Sequence, residues 1–430
     1  MSKILFIVPP LTGHINPTVS LGQYLIQQGH EVAWVGYTES LSRSLPAQHR
    51  VCSLDQTEVN KSDKPASGIG QHGNQERRGF TALFHLWESI FIPLARQSFP
   101  HILAHLSSEK PDLCIVDQQM LGGAMACQKL GIPYLTSATT SAALIQVLKG
   151  LPQVNTWHDN LLKGLWREHD LNPYLGLEQL EQLHLEQPRL DLSPLGTLAF
   201  SSKELTLSIA PEQHLPSNIH FVGPALEGER THIDFPWSRL NREQAKLFVS
   251  MGTVNAQRAA PLYAKIIEAL ADLDLQVIAA APVEYFKTAP KHWIIQERVP
   301  QLQLLAHVDA VFCHGGHNTT MEALAYGRPL LIAPIRDDQP VIAEQVKAFG
   351  AGLRTHFTRS KPRIIQQKIK KILDCSQIKS SAIRASKSLV HSDLIYQQTE
   401  YSETSVQLPT ELGAHRASQI IQGYLDQMST

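Results

Sequence analysis

The sequence predicts an α/β protein built as two halves, each a parallel sheet with helices on both faces. Three observations carry that expectation. Short apolar runs alternate with helical patterns through the first half. A stretch punctuated by Pro211, Pro216, Pro224 and Pro236 then interrupts the alternation. The same rhythm restarts at Lys246. Strands that alternate with helices form parallel sheets, because a parallel connection must cross back over a face of the sheet.

In order, Ile4–Val8 is a short, wholly apolar run and reads as a buried parallel strand. Pro9–Asn16 reads as a loop, followed by a helix with Pro17 in its first turn and Gly29 as its stop. Glu31–Gly36, Leu113–Asp117 and Ile132–Ser137 are further strands. Residues 59–79 are polar and glycine-rich and read as a loop. Gly68, Gly70 and Gly73 within it spell a dinucleotide fingerprint, but no strand precedes them, so the match is rejected. Phe80–Leu106 is helical, with Phe84, Trp87 and Phe91 on an apolar face. That face packs in a core, lines an apolar acceptor pocket or touches a membrane surface. The second half offers strands at Lys246–Ser250, Leu275–Ala280, Trp293–Gln296 and Ala310–Cys313. The tail after Glu400 reads as a loop until an amphipathic helix, Gly413–Met428. The expected division is 1–215, a linker 216–240, 241–400 and a tail 401–430, with a ligand cleft between the two sheets.

Composition removes several function classes. A chain of 430 residues is long enough for two domains, and 43% hydrophobic with 18% charged residues is globular, not disordered. A net charge of −1 leaves no broad footprint for nucleic acid. The five cysteines are odd in number and scattered, which fits a reducing compartment and a cytoplasmic protein. No 18-residue apolar run or secretory leader is legible.

The chemistry concentrates in residues 298–339. The apolar run Ala310–Cys313 ends in His314-Gly315-Gly316, and Asn318 and Thr319 then open a helical pattern. Strand, glycine turn and helix start suit phosphate, because free N–H groups and the helix dipole point at the anion. A second apolar run, Pro329–Ala333, leads to Asp338-Gln339, where sugar hydroxyls could be held. His314, His317 and Glu322 lack the spacing of a helical zinc motif. Gly252-Thr253 ends the first strand of the second half and reads as a diphosphate contact or a turn cap. In the first half, His14 follows the first strand beside Gly13, as a general base or as a helix-capping or surface histidine. Asp117 ends a later strand and either orients His14 or caps the next element.

The spacing of His314, Gly316, Asn318, Thr319, Glu322, Gly327, Pro329, Pro334 and Asp338-Gln339 resembles the donor signature of family 1 UDP-glycosyltransferases. The loop Pro10-x-Thr-Gly-His14-Ile-Asn-Pro17 resembles the catalytic histidine loop of the same family. Among relatives, the wording around Asp117, Asn318 and Asp338-Gln339-Pro340 is similar to bacterial zeaxanthin glucosyltransferases and related macrolide-type enzymes. The resemblance implies the GT-B architecture: an acceptor-binding half, a nucleotide-sugar-binding half facing it, and a final helix crossing back. It implies inverting transfer of a hexose from a UDP-sugar co-substrate to a hydroxylated hydrophobic small molecule, with no metal or other cofactor. His14 would be the base and Asp117 its support. His314, Gly316, Asn318, Thr319, Gly252 and Thr253 would hold the diphosphate, Glu322 the ribose, and Asp338 and Gln339 the sugar. Val299 and Gln301 would meet the base. The chain departs from the plant pattern where Arg298 and His317 replace tryptophans, and Arg298 would stack on the base in place of the indole.

Overall fold

The computed structural model describes residues 1–55, 80–145, 151–173, 189–226, 233–252, 256–390, 395–397, 405–407 and 412–429. Thr253 and the glycines at 68, 70 and 73 lie outside them. The chain divides into two compact units. The first is Met1–Phe200 with Gln213–Gly228 and Gly413–Thr430; the second is Ser201–Glu212 with Glu229–Leu412.

The first unit holds a seven-stranded sheet, β1 (Lys3–Ile7), β2 (Glu31–Gly36), β3 (Arg50–Ser53), β4 (Leu113–Asp117), β5 (Tyr134–Ala138), β6 (Thr197–Ala199) and β7 (Ile219–Phe221). Its order is β3-β2-β1-β4-β5-β6-β7, and every pairing is parallel. Both faces are covered, as a parallel sheet requires. Leu5 and Ile7 of β1 pack into one core with Cys114 and Val116. Ile4 and Phe6 point the other way and join Leu113, Ile115 and Trp34.

β7 falls inside the stretch that the sequence reading gave to the linker. It is only three residues long and half-buried, so prolines on either side mask it.

Helix α1 (Thr12–Gln27) also differs from expectation, since it begins inside the expected loop. The Leu11 carbonyl accepts from His14 and Ile15 N–H, which folds the loop into a first turn. Pro17 therefore sits in the helix body, not at its start. A glycine seats the helix: a Cβ on Gly22 would lie 2.4 Å from the Trp34 ring. Trp34 stacks on Phe6 at 5.2 Å and donates to Thr18 Oγ1 at 2.9 Å. The helix that carries His14 is thus fixed against the sheet.

The second unit has a six-stranded sheet, β8 (Ala245–Ser250), β9 (Leu275–Ala280), β10 (Ile294–Gln296), β11 (Ala310–Cys313), β12 (Leu330–Ile332) and β13 (Gly352–Arg354). The order is β10-β9-β8-β11-β12-β13, again parallel. Helix α2 (His317–Ala325) follows β11, and α3 (Gln339–Phe349) follows β12. Within the tail expected as loop, Ser405–Gln407 is a strand, paired antiparallel with Ile395–Gln397 just before it.

The C-terminal helix, Gly413–Ser429, belongs to the first unit. Gln422 pairs with His30 at 3.0 Å, and Tyr424 donates to the Leu195 carbonyl at 3.0 Å. A Cβ on Gly413 would come within 2.5 Å of the Gly223 and Pro224 carbonyls, so only glycine lets the helix start there.

Candidate active site

Ligands of open parallel sheets bind where the strand order reverses, beyond the carboxyl ends of the strands. In the first unit that point lies between β1 and β4. His14 follows β1, and Asp117 is the last residue of β4. They are 103 residues apart in sequence, yet His14 Nδ1 lies 2.9 Å from Asp117 Oδ2. The Asp117 side chain is wholly buried and that of His14 is 15% exposed. Asp117 Oδ1 accepts from the Gln119 N–H at 2.9 Å, so the carboxylate both engages the imidazole and caps the chain that follows. A carboxylate on Nδ1 directs Nε2 outward with its lone pair available. The sequence reading missed a third member. Thr139 Oγ1 lies 2.7 Å from His14 Nδ1 and 3.3 Å from Asp117 Oδ2. Its only sequence signal is its place just past a strand end.

In the second unit the order reverses between β8 and β11. Ser250 and Cys313 end these strands in register, which brings Gly252 against His314. Gly252 and Gly315 have φ of 76° and 88°, values that glycine tolerates. A Cβ on Gly252 would sit 2.9 Å from His314 Cε1, and one on Gly316 2.6 Å from Nε2. The imidazole is therefore lodged between two glycines. Burial pushes His314 down to about 4, with Arg336 adding to the fall and a Ser250 backbone hydrogen bond opposing it. A neutral imidazole beside the start of α2 is suited to donate a hydrogen bond to an anion.

Gly316 is the N-cap of α2, and Asn318 and Thr319 lie in its first turn. Glu322 is 3% exposed. Gln301 donates to Glu322 and reaches Thr319 Oγ1 at 3.4 Å, so these three expected donor residues form one cluster. Val299 is buried and Arg298 exposed. Asp338 is the N-cap residue of α3. Gln339 refines its expected role: Oε1 accepts from Ile335 and Arg336 N–H at 2.8 and 3.1 Å. Its carbonyl end shapes the loop, and its amide end is the one suited to a sugar. Asp337 just before has φ of 55°, strain concentrated next to the candidate site. Among the described residues, no three His, Cys, Asp or Glu side chains gather as a metal site would, and no helix is long and apolar enough to cross a membrane.

The histidines set a pH dependence. Burial lowers His314, and it lowers His49, His158, His220 and His307 as well. Unfolded histidines titrate near 6.5, so below that pH the unfolded chain binds more protons than the folded one. Stability from these groups is complete above about 6.5 and is lost as pH falls toward the folded values, about 4 for His314. The urea midpoint should fall steadily between pH 6.5 and 4.5, and His314→Asn should flatten part of the slope. A midpoint constant over that range would contradict the assignment.

Residues 264–408 match the family described as Erythromycin biosynthesis protein CIII-like, C-terminal domain. The chain is 27% identical to 4'-demethylrebeccamycin synthase of Lentzea aerocolonigenes, over 89% of this chain and 94% of that one. It is 24% identical to the zeaxanthin glucosyltransferase of Pantoea ananas, over 84% and 86%. Two solved structures share the fold end to end. A spinosyn rhamnosyltransferase superposes with a TM-score of 0.69 at 19% identity, over 98% of this chain and 100% of that one. A calicheamicin glycosyltransferase superposes with 0.68 at 17%, over the whole of both. The two parallel sheets with helices on their faces agree with these likenesses. Along most of its length the chain is therefore similar to glycosyltransferases, and its fold is their GT-B fold.

Proposed function

We propose that this enzyme transfers glucose from UDP-glucose to a hydroxyl of a hydrophobic small molecule, with inversion and without a metal. The observation that carries the reading is the His14–Asp117 pair, at 2.9 Å, at the switch point of the first sheet. In the proposed step, His14 Nε2 takes the proton of the acceptor hydroxyl. The acceptor oxygen bonds to the anomeric carbon as the bond to the β-phosphate breaks, and UDP leaves. An α-linked donor gives a β-glycoside. The Gly315-Gly316 turn, the start of α2 and His314 would carry the diphosphate charge, which is why no metal is invoked. Glu322, with Gln301, would take the ribose, and Asp338 and the Gln339 amide the sugar.

A carotenoid diol such as zeaxanthin is the first acceptor to test, supported by the zeaxanthin glucosyltransferase relative. A polyketide or other secondary metabolite is the second, supported by the rebeccamycin and spinosyn relatives. Purified protein, UDP-glucose, EDTA and a panel of both acceptor classes would be followed by UDP release and product mass. A glycoside formed in EDTA supports the proposal. Conversion of UDP-glucose without any acceptor would indicate an epimerase, and UDP binding without turnover a binding protein.

Gly316 offers a separate check on the donor half. A Cβ there would push the His314 ring out of its slot, so Gly316→Ala should weaken UDP binding about tenfold, roughly 1.4 kcal/mol. Calorimetric titration reads this directly. An unchanged dissociation constant would remove His314 from the diphosphate site.

A further inference from the structure

β1, β4 and β5 are consecutive neighbours in the first sheet. Their carboxyl ends deliver His14, Asp117 and Thr139 to one place. The three polar groups close a triangle: Nδ1 to Oδ2 is 2.9 Å, Nδ1 to Oγ1 is 2.7 Å and Oγ1 to Oδ2 is 3.3 Å. Thr139 is 4% exposed and Asp117 1%, so their polar atoms must be satisfied locally.

Proton counting leaves one arrangement that satisfies all three contacts. Were Nδ1 bare, the Thr139 hydroxyl could donate to it, but the carboxylate oxygen would then face a lone pair at 2.9 Å. With the proton on Nδ1, that N–H is shared between Asp117 and Thr139, and the threonine O–H turns to Asp117. The hydroxyl therefore acts in two senses. Its oxygen favours a protonated ring, whereas its hydrogen disperses the carboxylate charge that supports the same ring. The oxygen contact is 2.7 Å and the hydrogen contact 3.3 Å, so the first sense prevails.

We propose that Thr139 is a positioning residue for His14: its hydroxyl accepts from Nδ1–H and donates to Asp117, fixing Nε2 as the proton acceptor and supporting the imidazolium. The role in turnover rests on His14 being the base. The effect on the ring does not, and it can be read without any substrate.

The test compares wild type, Thr139→Val and Thr139→Ser by 15N nuclear magnetic resonance of the His14 ring through a pH titration, alongside kcat. Valine keeps the branched shape and removes the hydroxyl; serine keeps the hydroxyl. In Thr139→Val the His14 midpoint should fall by about half a unit or more, since one unit corresponds to a tenfold change between protonation states. kcat should drop about tenfold with little change in KM, and serine should restore both. A midpoint that stays in place or rises in Thr139→Val overturns the proposal, as does a serine variant as impaired as the valine one. Should the valine variant fail to fold, Thr139→Ala is read by the same titration. Absence of turnover in wild type with every acceptor would count against the proposed function, and the titration would still decide the role of Thr139.

Discussion

Replacing His14 with alanine should stop sugar transfer and leave UDP binding nearly unchanged. General base catalysis by a placed side chain typically contributes about 10²–10⁴-fold, so kcat should fall by roughly a thousandfold. Two features separate this from a folding effect. His14 lies in the first turn of α1, where alanine is a good helix former. Its ring, 15% exposed, is held by Asp117 and Thr139, so the loss falls chiefly on hydrogen bonds. The cost falls on Asp117, which would keep Thr139 and the Gln119 N–H as partners but lose the imidazole. That should destabilise the first unit by about 1–3 kcal/mol, visible as a modest fall in melting temperature. The proposed donor residues His314, Gly316 and Glu322 lie in the second unit, so the UDP dissociation constant should stay within about threefold. A variant that still transfers at near wild-type rate would remove His14 from the chemistry. One that loses UDP binding as well would point to global damage.

Much of this arrangement was legible in the residues, and what was hidden has physical reasons. Apolar runs such as Ala310–Cys313 declare buried strands, and Gly315-Gly316 declares a turn that tolerates no side chain. Both glycines are also hemmed in by the chain's own side chains, Gly316 by His314 and Gly315 by Ile332, which the sequence did not announce. Strand order is another matter. Nothing in the spacing of His14 and Asp117 says that β1 and β4 are neighbours, since that depends on how crossovers pack. The pairing was reachable only through resemblance. Thr139 was invisible because threonine at a strand end is common and its value lies in two partners far away in sequence. Pro17 misled about the start of α1, because proline favours first turns yet here sits within the helix. β7 was hidden by its brevity, and its flanking prolines read as a linker. Gln339 shows the limit of reading roles from motif positions: the residue is where expected, but half of its amide is committed to its own loop.

Asp117→Asn distinguishes the two readings that the sequence left open for this residue. As a cap, Asp117 offers Oδ1 to the Gln119 N–H at 2.9 Å, and asparagine caps as well as aspartate does. If capping were its whole contribution, the substitution would be nearly silent. As an orienting group, its Oδ2 accepts from His14 and Thr139, and there asparagine cannot substitute. With its oxygen kept on the Gln119 N–H, the amide nitrogen turns toward His14 and donates to Nδ1. The ring proton then moves to Nε2, the atom that must be bare to receive the acceptor's proton. With the amide flipped, its NH₂ meets the Gln119 N–H, donor against donor, in a site without solvent. Either way, the negative charge that would stabilise the imidazolium is gone. A comparable exchange in a serine protease triad lowers turnover by about 10⁴. The expected loss here is about 10²–10⁴ in kcat, with the melting temperature and UDP affinity close to wild type. A kcat within about threefold of wild type would leave Asp117 a cap, and His14 would then need another partner to hold its ring.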